Sequence, residues 1–180
     1  MKKEYIEKFD KNNIYDVLVN FPEQIKYILD NNNLDKINLS KISSILICGM
    51  GGSAIGGDLL NTIIKDDINI PIIINRDYKL PNWVSRTTLI ILSSYSGNTE
   101  EVLSCYNESI KKKYKPIIIS SGGELLKNAK NNNLLFFIIP KGYMPRFALG
   151  YNITILLSLL VKIDLLNDSV IDDLMYIVNI

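Results

Sequence analysis

Ser44-Ile45-Leu46-Ile47-Cys48-Gly49-Met50-Gly51-Gly52-Ser53-Ala54-Ile55-Gly56-Gly57-Asp58 decides the fold of this 180-residue chain. An apolar run without alternation, 44–48, stops at a cluster of glycines, and a helix-compatible segment, 54–65, follows. A strand buried on both faces reads this way, because period-two alternation is needed only where one face meets water. Glycines at the junction permit positive φ and let a ligand approach the backbone. The helix that follows offers unpaired N–H groups and the positive end of its dipole, which together favour an anion.

The same alternation of elements continues in the downstream sequence. Further apolar, β-branched runs lie at 71–75, 88–93, 116–120 and 134–139, with helix-compatible stretches at 100–113 and 124–131 between them. The connection 75–88 contains Pro81, which limits any helix there. Upstream, 15–29 has a helical pattern that Pro22 interrupts or restarts. Pro145 suits a helix N-terminus ahead of the long apolar segment 146–165, and 168–180 reads as a capped helix opened by Asn167 or Asp168. The asparagine runs 31–33 and 131–133 read as loops after helices. These elements predict one α/β domain, a doubly wound five-stranded parallel sheet with helices on both faces.

Composition removes several classes of function. Lys+Arg of 20 against Asp+Glu of 19 leaves a net charge of +1, with no basic stripe for nucleic acid. The longest uncharged segment, 147–161, is shorter than the roughly 20 residues of a membrane span. Residues 1–8 contain no apolar stretch suited to a signal peptide. The two cysteines, Cys48 and Cys105, show no metal or disulfide spacing, and the expected location is the cytoplasm. Histidine is absent, so no histidine base, Ser-His-Asp triad or histidine zinc ligand comes from these residues.

A second loop narrows the chemistry. The third apolar run ends in Ser93-Ser94-Tyr95-Ser96-Gly97-Asn98-Thr99-Glu100-Glu101, four hydroxyl residues and a glycine just before a helix. Asn98 or Thr99 suits its N-cap, and the two glutamates complement its first turn. Two such loops at neighbouring strand ends meet at a topological switch point and suit a phosphate monoester, whose oxygens accept hydroxyl and backbone N–H bonds. Neither loop carries the lysine of a nucleoside triphosphate loop. The plain alternatives are a tight strand-to-helix turn for the first loop and a simple N-cap turn for the second. Gly49, Gly51 and Ala54 also satisfy the dinucleotide fingerprint, with Asp77 as its acidic ribose contact, but that reading gives the second loop no role. Beyond the fifth run, Arg146 stands in Gly142-Tyr143-Met144-Pro145-Arg146-Phe147-Ala148-Leu149-Gly150-Tyr151, either as a solvated surface group or as a contact for an anion or sugar hydroxyl.

Together GMGGSAIGGDLL, SSYSGNTEE and PRFALGY resemble the sugar isomerase (SIS) domain and, more narrowly, the bifunctional phosphoglucose/phosphomannose isomerases, from about residue 45 to about 165. The resemblance implies the SIS-type, flavodoxin-like fold over 41–166, preceded by a helical segment 1–40. Residues 167–180 then begin a C-terminal element or a linker to a second SIS domain. It implies phosphosugar contacts at Gly52, Ser53, Ser94, Ser96 and Thr99, with Arg146 stabilising charge on an enediolate. It also implies an aldose–ketose isomerisation of sugar 6-phosphates through an enediol, with no metal and no cofactor. The glutamate, histidine and lysine that carry the proton chemistry are expected in a second half beyond Ile180.

Two functions fit these features. One is half of such an isomerase, paired with a second SIS domain or a homodimer partner. The other is a stand-alone module that binds phosphosugars without turnover. A reading frame continuing past Ile180 with a glutamate and a histidine favours the enzyme.

Overall fold

A computed structural model of the chain describes residues 6, 8–31, 39 and 41–179. In chain order the elements are α1 (Ile14–Val19), α2 (Phe21–Asn31), β1 (Ser44–Cys48), α3 (Gly52–Ile63), β2 (Ile72–Asn75), β3 (Thr88–Ser94), α4 (Glu100–Lys111), β4 (Ile117–Ser120), α5 (Gly123–Asn131), β5 (Phe136–Ile138), a 3₁₀ turn (Pro145–Phe147), α6 (Leu149–Lys162) and α7 (Ser169–Val178). The five strands form one sheet in the order β2-β1-β3-β4-β5, and every pair is parallel. This is the doubly wound arrangement expected from the sequence. Its strand order reverses between β1 and β3, which opens a crevice at their carboxyl ends.

The absence of alternation in the strands follows from their two covers. Ile45, Ile47, Leu89, Ile91, Ile117 and Ile119 face α2, α3 and α6. Leu46, Cys48, Ile90, Leu92 and Ile118 face α4 and α5 on the other side. Helix α6 is buried from Gly150 to Val161, which accounts for its almost wholly apolar sequence.

The observed boundaries differ from the sequence expectations by small, explicable shifts. The 15–29 pattern is two helices, because the chain turns at Asn20 and restarts with Pro22 in the first turn of α2, where its missing N–H costs nothing. Strand β5 begins at Phe136 rather than 134, since the Leu134 N–H closes back on the Ala129 carbonyl at the end of α5. Residues 146–165 split into the 3₁₀ turn and α6. The expected loop at 31–33 is described only at Asn31, the last residue of α2; positions 32 and 33 lie outside the described residues. Among the described residues, no helix is long and apolar enough to cross a membrane.

Candidate functional site

β1 and β3 end side by side, and their loops are tied directly. The Tyr95 N–H donates to Ser53 Oγ at 3.2 Å, joining the helix start of the first loop to the second. Ser53 is buried at the first turn of α3, while Gly51 before it is exposed.

The second loop is shaped by its own hydroxyls. Ser94 Oγ and Thr99 Oγ1 share a hydrogen bond of 2.8 Å, and Ser94 Oγ also accepts the Gly97 N–H at 3.1 Å. Ser96 Oγ accepts the Asn98 N–H at 3.2 Å. Gly97 has φ +72 and packs so close to the Gly122 carbonyl that no side chain fits there. Ser94 is 1% exposed, whereas Ser96 is exposed and Thr99 half-buried, so alternate hydroxyls along this stretch have opposite surroundings. Among the described residues, no acceptor takes the N–H groups of Glu100 and Glu101 in the first turn of α4, which leaves them open toward the loop.

The sequence expectation that Asn98 or Thr99 caps α4 through its side chain is not met. Thr99 stands at the N-cap with its hydroxyl turned to Ser94, and α4 has no side-chain cap bond. Asn98 instead caps the neighbouring helix: its Oδ1 accepts the Glu124 N–H of α5 at 3.0 Å. Glu100 lies on the exposed rim, where its Oε2 accepts from the Tyr78 hydroxyl at 3.3 Å. The nearby charge of Glu101, with burial and Glu100 behind it, pushes the Tyr78 phenol up from its ordinary value.

Arg146 reaches this rim on a third segment. The 3₁₀ turn Pro145–Phe147 lies directly over the first loop: a Cβ built on Gly52 would meet the Arg146 N and Cα and the Pro145 carbonyl carbon, each at 2.9 Å. The Arg146 side chain is exposed, with its guanidinium 5.1 Å from the Phe147 ring centroid and Nη2 3.7 Å from Met144 Sδ. Gln24 of α2 secures the segment from behind, donating to the Phe147 carbonyl at 2.8 Å and accepting the Gly150 N–H at 3.0 Å.

The structure thus places the expected phosphosugar contacts along one rim: Gly52 beneath the Arg146 backbone, Ser53 bonded to the second loop, and Ser94, Ser96 and Thr99 within that loop. Sequence reasoning missed Tyr95, Gln24, Ser121 and Asn152. Ser121 Oγ donates to the Tyr95 carbonyl at 2.6 Å, and Asn152 Nδ2 donates to Ser93 Oγ at 2.8 Å beneath the site. Of the four, only Asn152 carried a signal in the sequence, a polar residue inside the apolar run 147–161. Cys48, at the root of the first loop, is 1% exposed. Its contact with Cys105, together with burial, pushes its thiol up from its ordinary value.

No family model matches the chain. Over 155 residues, 85% of this chain and 46% of the relative, it is 44% identical to the bifunctional phosphoglucose/phosphomannose isomerase of Caldicellulosiruptor bescii. The chain spans about half the length of the curated relatives it matches. The C-terminal domain of glucosamine-fructose-6-phosphate aminotransferase from Francisella tularensis superposes with TM-score 0.70 at 18% identity, over 94% of this chain and 55% of that one. The Vibrio vulnificus NanR protein, solved in complex with ManNAc-6P, superposes with TM-score 0.56 at 16% identity, over 97% of this chain and 72% of that one. By sequence the chain is a homologue of the bifunctional phosphoglucose/phosphomannose isomerases over about half of their length, and by fold it is an α/β domain of SIS type.

Proposed function

We propose that this chain is the phosphosugar-binding SIS domain of an aldose–ketose isomerase that interconverts glucose 6-phosphate or mannose 6-phosphate with fructose 6-phosphate. The observation that carries the reading is the junction of the two loops: the Ser53–Tyr95 bond sets a buried helix start beside exposed hydroxyls and open first-turn N–H groups. Such donors surround the oxygens of a phosphate monoester, and charge-assisted bonds of this kind contribute about 1.5–3 kcal/mol each.

In this reading Ser96 and Thr99 donate to the phosphate, Ser94 orients Thr99 from behind, and Gly52 and Ser53 supply the first-loop side. The 44% identity to a phosphoglucose/phosphomannose isomerase supports the substrate class, and the neighbour solved with ManNAc-6P supports a ligand of this kind on this fold. Arg146, beside the first loop, stabilises negative charge on the enediolate oxygen as it develops. Proton transfer between C1 and C2 and ring opening use a glutamate, a histidine and a lysine of a second SIS domain. The 180-residue chain, which contains no histidine, binds without turnover. The reaction takes place in the cytoplasm and uses no cofactor.

Isothermal titration with fructose 6-phosphate tests the proposal, run beside a Ser96→Ala, Thr99→Ala variant and an isomerase assay. Binding by the wild-type chain that disappears in the variant, with no turnover, is the expected result. Equal affinity in both proteins rules out these hydroxyls as the phosphate contacts.

A further inference from the structure

Tyr95 makes more connections across the rim than any residue the sequence singles out. Its N–H donates to Ser53 Oγ in the first loop, and its carbonyl accepts from Ser121 N and Oγ at 3.0 and 2.6 Å in the β4–α5 loop. Its phenol lies across the segment that leads to Arg146: Tyr95 Oη donates to the Pro140 carbonyl at 3.0 Å and accepts the Tyr143 N–H at 2.9 Å. Those two partners flank Gly142, where the chain turns with φ +101. The phenol therefore closes the turn that delivers Pro145 and Arg146 onto Gly52.

The main-chain bonds of Tyr95 would survive with any side chain at this position. The phenolic bonds would not, and a phenylalanine that packs equally well makes neither. The hydroxyl itself therefore has a separable task.

We infer that Tyr95 is a positioning residue whose hydroxyl fixes the 140–146 segment, so that phosphate captured by the second loop and the sugar end met by Arg146 are held at one spacing. This rests on the phosphosugar reading above and deepens it. A ligand carrying both a phosphate and a sugar depends on that spacing, whereas inorganic phosphate, which occupies only the loop, does not. Displacement of about 1 Å is enough to lose a two-ended contact of this kind.

The test is Tyr95→Phe in the full chain, with two readouts. Hydrogen exchange resolved by residue reports the turn without any ligand. Tyr143 N–H exchange accelerates at least several-fold, while the Ser121 N–H, bonded to the Tyr95 carbonyl, keeps its rate. Unchanged Tyr143 exchange overturns the inference whether or not the chain binds sugar. The second readout is a double-mutant cycle with Arg146→Ala, titrated with fructose 6-phosphate and with inorganic phosphate. Tyr95→Phe weakens fructose 6-phosphate roughly tenfold and leaves phosphate unchanged, and Arg146→Ala adds no further loss in its background. Additive losses, or equal losses for both ligands, show a merely structural tyrosine and overturn the inference. A wild-type chain that binds phosphate but not fructose 6-phosphate, with fast Tyr143 exchange in the variant, counts against the phosphosugar reading instead.

Discussion

Gly52 and Arg146 meet backbone to backbone: a Cβ built on the glycine comes within 2.9 Å of both the Arg146 N and its Cα. A side-chain tip can swing away from such an intrusion, but main chain cannot. The first turn of α3 and the 3₁₀ turn carrying the arginine are thereby fixed at the closest separation their backbones allow.

Gly52→Ala is expected to lower stability by about 1–3 kcal/mol, the usual cost of overpacking, and to weaken fructose 6-phosphate binding by pushing the arginine turn outward. Gly51→Ala is the control. Gly51 has φ +50 and nothing within 4 Å of its built Cβ, so alanine there costs only its backbone strain, about 1–3 kcal/mol. Urea midpoints and titrations on both variants separate the two effects. Equal loss of binding would show that the contact has no part in the site.

Ser94 and Ser96 differ by two positions and are expected to respond oppositely. Ser94→Ala removes a buried hydroxyl that holds Thr99 at 2.8 Å and the Gly97 N–H at 3.1 Å, at a cost of about 1 kcal/mol in stability. Ser96→Ala, at an exposed position, changes the unfolding midpoint by less than about 0.5 kcal/mol but weakens phosphosugar binding. The checks are a thermal melt and a titration for each variant.

How much of this was legible in the sequence depended on how local the cause was. Runs such as 44–48 and 117–120 showed their double burial through the absence of alternation, and both are buried throughout. The glycine and hydroxyl loops were legible because their chemistry is concentrated in a few consecutive residues. What escaped are side chains whose partners lie far along the chain. Tyr95 meets Pro140 45 residues away, Asn98 meets Glu124 26 away, and Gln24 meets Phe147 123 away. Local cap rules offered Asn98 or Thr99 to α4, but the Asn98 side chain accepts from α5, and no spacing rule records that proximity. The opposite surroundings of Ser94 and Ser96 were equally hidden, because they depend on β3 extending to Ser94.

Helix α3 leaves an apolar stripe uncovered. Ile55, Leu59 and Ile63, spaced one helical turn apart, are 44%, 37% and 56% exposed. The isolated 180-residue chain is expected to bury this stripe against a second copy and to sediment above its monomer mass at micromolar concentration. Leu59→Lys should return it toward monomer. Analytical ultracentrifugation reads both results, and a monodisperse wild-type monomer defeats the prediction.

Glu108 makes stability depend on pH in a defined direction. Its Oε1 pairs with Lys112 Nζ at 2.7 Å and its Oε2 accepts the Leu80 N–H at 2.9 Å. The lysine, then the amide, hold its carboxyl below the usual value. The unfolded state therefore takes up a proton at a higher pH than the folded one. The contribution is complete above the ordinary glutamate value of about 4.3 and is lost as pH falls through the lower folded value. Lys112 is raised by the same pair, so the two shifts describe a single interaction. Between about pH 5 and 3 the wild-type chain should lose stability more steeply than Glu108→Gln, which keeps the size of the side chain and no longer titrates. Urea unfolding at intervals across that range measures both slopes. Parallel curves would mean that the ion pair is screened by solvent and that the acid lability of the chain arises at other carboxylates.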